Sequence, residues 1–166
     1  GVEQITETLL RVRKVKAVHI IAHGQPGAMH LGNTWLTAEK LDSYAPMVRQ
    51  WFRGGARPDV LLFGCNVGEG SEGSKFIRRL SELSGSDVAA STDLTGAPSQ
   101  GGDWDLEAST GSIEAQFPIT EQARDEMPGT LAAFYVDTIY DFHDETPGDG
   151  ICYGHTAAFD GITYAH

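Results

Sequence analysis

The sequence predicts an α/β domain built on a mostly parallel sheet, and three observations carry that expectation. Residues 17–22, 59–63 and 88–91 are short, nearly continuous apolar runs, as strands covered on both faces should be. The segments between them place apolar residues at helical spacing. Strand, helix and strand in this alternation require right-handed crossovers, with helices expected on both faces of the sheet.

Each element has its own local reason. Val2, Ile5, Leu9 and Val12 are spaced as on one helical face. The first apolar run ends at His23-Gly24 and meets the turn residues Gln25-Pro26-Gly27. Residues 29–35 fit a small hairpin across Gly32-Asn33. Thr37 suits the cap of a helix whose stripe is Leu41, Tyr44, Ala45, Val48, Trp51 and Phe52. Pro46 lies inside that stripe, so the helix is expected to kink there or to start just before it. The second strand stops at Gly64-Cys65-Asn66. Residues 71–84 put Phe76, Ile77, Leu80 and Leu83 on one helical face, with Gly85 as the stop. Beyond the third strand, residues 103–107 and 112–117 alternate and are expected to pair as a hairpin. Residues 121–129 are polar and read as a helix or a linker, and residues 131–140 as one more strand.

Composition bounds the function. A chain of 166 residues with 40% hydrophobic residues can bury a core. The formal net charge is −11, which argues against nucleic acid as a partner, because phosphates require a Lys/Arg surface. The charge is uneven: beyond residue 120, nine acids face Arg124 alone. The expected organisation is therefore an α/β domain over residues 1–120 and an acidic extension over residues 121–166, a linker, a cleavage region or the start of another domain. No apolar run approaches the ~20 residues of a membrane span. Two cysteines, Cys65 and Cys152, make no disulfide framework.

In an open α/β sheet, reacting groups gather beyond the carboxyl ends of the strands. Two successive strands end here in His23 and Cys65. A thiolate is a strong nucleophile, and a neighbouring imidazole can take the thiol's proton. Gly24 and Gly64 flank the pair, permit close backbone approach, and leave bare amides able to face an oxyanion. The structural alternative is an inert core cysteine and a hydrogen-bonded histidine. His19, four positions before His23, is read as structural, since a metal pair on a strand is normally spaced His-x-His.

Other chemistries fit less well. An α/β-hydrolase elbow needs glycine where Phe63 and Val67 stand. His143, Cys152 and His155 form a loose trio for zinc or copper. Asp141, Asp144 and Asp149 offer oxygens to calcium without the ordered positions of an EF-hand loop, so no cofactor is expected beyond that calcium option. Trp35, Trp51 and Trp104 are read as packing residues.

The segments VHIIAHGQPGAMHLGNTWL, LLFGCNVGEG, GSDVAASTDLTG and GGDWDLEASTGSIE resemble, in order, a bacterial domain family of unknown function found near the N-terminus of giant secreted surface proteins with cadherin-like or calcium-binding repeats. The order His-Gly, then Cys after the next strand, also resembles the caspase/gingipain-type cysteine peptidases. These resemblances imply a caspase-like three-layer αβα sandwich and a His23–Cys65 dyad. They further imply a secreted or cell-surface setting and a polypeptide substrate, either another protein or the chain's own. Relatives usually begin with a further strand before residue 1, so a contact with that N-terminal segment or a neighbouring domain is expected. Phe63 stands where relatives place an acid or a glutamine that reads the substrate, so their specificity does not carry over. The alternative function is a non-catalytic module that anchors or spaces an adhesin-like protein.

Overall fold

In chain order the elements of the computed structural model are α1 (Val2–Arg11), β1 (Ala17–Ile21), β2 (Gly24–Gln25), β3 (Ala28–Leu31), β4 (Thr34–Thr37) and α2 (Ala38–Val48). They continue with β5 (Asp59–Phe63), α3 (Gly70–Ser84), β6 (Val88–Ala90), β7 (Ala108–Ser109) and α4 (Glu121–Asp125). The structure describes residues 1–132 except 13, 53–56 and 118. Gly1–Ala132 form one compact unit. The metal candidates Asp141, Asp144, Asp149, His143, Cys152 and His155, and the strand expected over residues 133–140, lie outside the described residues.

A four-stranded sheet has the order β1-β5-β6-β7, with β1, β5 and β6 parallel and β7 antiparallel to β6. Its two faces follow from the two-residue alternation of a strand. Val18, Ile20, Val60, Leu62, Val88 and Ala90 face a core with Leu41, Ala45 and Val48 of α2 and Phe76, Ile77, Leu80 and Leu83 of α3. Val2, Ile5 and Leu9 of α1 pack on the same core. Leu61 and Phe63 point the other way, onto Trp104, Leu106, Ile113, Phe117, Met127 and Leu131.

This corrects the expectation of long helices on both faces. The strand order β1-β5-β6 advances in one direction across the sheet, and right-handed crossovers that advance in one direction stay on one side. The opposite face is covered by irregular chain and by the short helix α4. The expected pairing of residues 103–107 with 112–117 is also corrected: within these stretches and between them only β7 forms a strand, and it pairs with β6. Both alternating stretches instead set their apolar side chains against the sheet. The buried carboxylate of Asp59 holds the second stretch down, accepting hydrogen bonds from the backbone N–H of Glu114 and of Ala115, both at 2.8 Å.

Strand β1 is only partly buried, unlike β5, because it forms the sheet's edge among the described residues. A groove of about 580 Å³ runs along it, lined by Gln4, Ile5, Thr8, Val18, Ile20 and His30 among others. The hairpin across Gly32-Asn33 forms as expected from β3 and β4, with Gly32 at φ +69°, and β2 joins it to make a three-stranded sheet. Thr37 caps α2, accepting from the Lys40 N–H at 3.3 Å. The helix starts there, and Pro46 is accommodated near its C-terminal end, where few turns remain to be disrupted. Gly85 ends α3 in the left-handed conformation at φ +72°. No helix among the described residues is long and apolar enough to cross a membrane.

Candidate active site

Parallel pairing sets Ile21 opposite Phe63, so His23 and Cys65 each lie two residues beyond the same rung of the β1–β5 ladder. The ladder extends one bond further, with the Ala22 N–H donating to the Phe63 carbonyl at 3.0 Å. Two glycines let the rim turns touch. A Cβ on Gly24 would lie 2.6 Å from the Cys65 carbonyl oxygen and 2.5 Å from Val67 Cγ2; one on Gly64 would lie 2.6 Å from the Ala22 oxygen. Their role in packing is thus to bring the histidine turn and the cysteine turn into contact. Asn66 then turns the chain toward α3 in the left-handed conformation, at φ +63°, which asparagine tolerates better than most residues. Its amide N–H donates to the Asp93 carbonyl at 2.7 Å, and its Nδ2 donates to Glu69 Oε2 at 2.8 Å.

Residues 129–132 run across this rim. The Ala97 N–H donates to the Gly129 carbonyl at 3.0 Å, and the Leu131 N–H donates to the Thr95 carbonyl at 2.8 Å. On its other side the Leu131 carbonyl accepts from the Gly24 N–H at 3.3 Å, and His23 Nδ1 lies 3.1 Å from the same oxygen. Cys65 Sγ accepts from the Thr95 N–H at 3.3 Å and lies 3.6 Å from the Thr95 carbonyl oxygen. The imidazole and the sulfur therefore both meet the backbone around Leu131. His23 is exposed and Cys65 is buried, yet Cys65 belongs to neither apolar cluster among the described residues. Its surroundings are peptide groups.

Burial pushes the Cys65 thiol above its ordinary range, and the negative charge of Asp93 adds to the rise. Hydrogen bonds from the backbone at Thr95, at Leu131 and at Cys65 itself oppose it. A resting thiolate is disfavoured while residues 129–132 cover the sulfur.

His19 occupies a different environment, stacked on Phe63 with ring centroids 6.1 Å apart and near Phe117 at 6.2 Å. Burial lowers its pKa, which suits a neutral ring that packs. Phe63 is itself core, 4.2 Å from Phe117 and 6.0 Å from Trp104 between ring centroids. Trp51 and Trp104 are buried, the former donating from Nε1 to Thr6 Oγ1 at 2.8 Å, and Trp35 packs on His30 in the hairpin.

Thr95 and Leu131 were not distinguishable as site residues in the sequence. Thr95 follows β6 with no reactive group to mark it, and Leu131 is 108 positions from the histidine it meets. A cluster of three carboxylates, Asp93, Asp103 and Glu107, also forms nearby at the surface, with one oxygen of each within 4.8 Å of the others. Partial burial and the charges of Asp103 and Glu107 raise the Asp93 pKa, while Glu107 accepts from the Thr92 N–H at 2.7 Å.

No curated protein and no solved structure matches the chain. The model of the family described as domain of unknown function DUF4347 matches residues 1–131, and on that match the chain belongs to this family.

Proposed function

We propose that this domain is a cysteine endopeptidase of the caspase-like kind, acting through a His23–Cys65 dyad on a polypeptide that includes its own chain. The observation that carries the reading is the shared register of the two residues on neighbouring parallel strands, with the Gly24 N–H directed at a peptide carbonyl beside them. In this reading His23 takes the Cys65 proton as the sulfur attacks a carbonyl carbon, and the Gly24 amide stabilises the oxyanion. The imidazolium then protonates the departing amine, and water releases the acyl group from sulfur. Because the covered thiol is held above its ordinary range, deprotonation accompanies attack or follows exposure of the sulfur. The secreted or cell-surface setting implied by the resemblance belongs to the same proposal.

The test is labelling of the purified chain by a peptidyl acyloxymethyl ketone, which reacts with a catalytic thiol, alongside iodoacetamide, which reacts with any exposed one. Ketone labelling should vanish in Cys65→Ala and in His23→Ala, while His23→Ala keeps its iodoacetamide reaction. Equal ketone labelling of wild type and His23→Ala would remove the dyad. One observation favours the rival reading, a non-catalytic anchoring module: the same raised thiol. Wild-type protein with no ketone labelling and an ordinary alkylation profile would support it.

A further inference from the structure

We infer that the Leu131–Ala132 peptide bond is the bond this domain cleaves in its own chain, an assignment that rests on the dyad proposed above. Residues 129–131 lie along the rim as an added strand: alternate backbone groups, the Gly129 carbonyl and the Leu131 N–H, are bonded to Ala97 and Thr95. Thr130 also bridges antiparallel to Gly96. Main-chain pairing of this kind holds an extended peptide independently of its side chains. The next group along the strand is the Leu131 carbonyl, and it receives both the Gly24 N–H and His23 Nδ1, at 3.3 and 3.1 Å. The sulfur shares the Thr95 backbone with that strand, and the Leu131 backbone hydrogen-bonds to it. One peptide group thus meets the amide, the imidazole and the thiol at once.

The side chain on the acyl side of this bond is read by the same site. Leu131 packs on the apolar cluster of Leu61, Phe63 and Trp104. Phe63 stands two positions before Cys65, so an apolar wall occupies the place that would hold a charge-reading group. The class of bond favoured is one that comes after an apolar residue.

The chemistry balances with water as the only co-reactant. Cys65 Sγ forms a bond to the Leu131 carbonyl carbon, its proton passing to His23. The bond from that carbon to the Ala132 nitrogen breaks, and the imidazolium gives the proton to this nitrogen. Water then attacks the thioester, leaving a Leu131 carboxylate, a free Ala132 amine and the thiol restored. The family match also ends at residue 131, so the bond stands at the border of the shared domain.

The experiment is incubation of the full 166-residue chain with intact-mass analysis and N-terminal sequencing, for wild type, Cys65→Ala, Leu131→Met and Leu131→Asp. The expected result is a fragment ending at Leu131 and a partner beginning at Ala132, retained in Leu131→Met and lost in Leu131→Asp and Cys65→Ala. Circular dichroism establishes that each variant is folded. If Leu131→Asp fails to fold, Ala132→Pro replaces it and should block the cut while ketone labelling of Cys65 persists. Cys65-dependent cutting at another bond, or Cys65-dependent ketone labelling without any self-cleavage, would overturn the bond assignment and leave the dyad standing. Cleavage at Leu131 in Cys65→Ala, or neither cleavage nor labelling in wild type, would overturn the dyad as well.

Discussion

The two faces of the central sheet are built by different means. One is covered by α1, α2 and α3, whose apolar stripes interlock with Val60, Leu62 and Val88 and bury them almost completely. The other is covered mainly by residues 104–117, irregular chain held by aromatic packing around Phe63 and by the Asp59 carboxylate. The first face supplies stability through close-packed hydrocarbon. The second carries the candidate site at its rim, with Leu131 belonging both to its apolar cover and to the strand that crosses Cys65. A regular helix would satisfy its own backbone and leave few peptide groups to offer; irregular chain presents them to whatever lies against it.

That contrast can be broken by substitution. Phe76→Ala, at a site 1% exposed in the helical core, should cost about 3–5 kcal/mol by urea denaturation, since the closely packed site cannot collapse onto the void. Asp59→Ala should cost about 2–3 kcal/mol through the loss of two charge-assisted hydrogen bonds. Its signature is faster amide exchange confined to residues 112–117 of the opposite face. An equal rise across α2 and α3 would mean the two faces do not act separately. Phe117→Ala, only half-buried, should cost roughly 1–2 kcal/mol, because part of its apolar area stays in water in the folded protein. A loss as large as that of Phe76→Ala would contradict the division.

The pH profile sharpens the comparison, with the smallest effect. A raised thiol binds its proton more tightly when folded, so the stability it contributes is fully present below the unfolded cysteine's pKa of about 8.5. It is lost as pH rises through the folded value. His19 has the opposite sign: its lowered pKa gives stability present above about 6.5 and lost as pH falls through the folded value. Thermal melts should therefore narrow on the alkaline side for wild type and not for Cys65→Ala, and on the acid side for wild type more than for His19→Gln. Parallel profiles in all three would refute the assignment of these groups to buried positions.

The opening register of the site was legible because chemistry and pattern coincided. An apolar run ending in His-Gly and another ending in Gly-Cys both mark strand ends, and neighbouring parallel strands align such ends. The two glycines were legible as places of close approach, although they bring turn against turn. Leu131 could not be found this way, because its side chain is ordinary and its part is played by a backbone carbonyl. The irregular cover was misread for a related reason: alternation of apolar and polar residues records that one side faces a core, whichever partner supplies it.

The sequence by itself determined where the helices and most strands lie and which side chains are apolar enough to be buried, since periodicity and capping act within a few residues. It determined that a thiol and an imidazole stand at the ends of successive strands. Only the tertiary structure decided the strand order, and with it that the long helices share one face and that β1 lies at the edge. It alone brought residues 129–132 across the rim, because contacts between segments a hundred positions apart depend on packing geometry that no local pattern encodes.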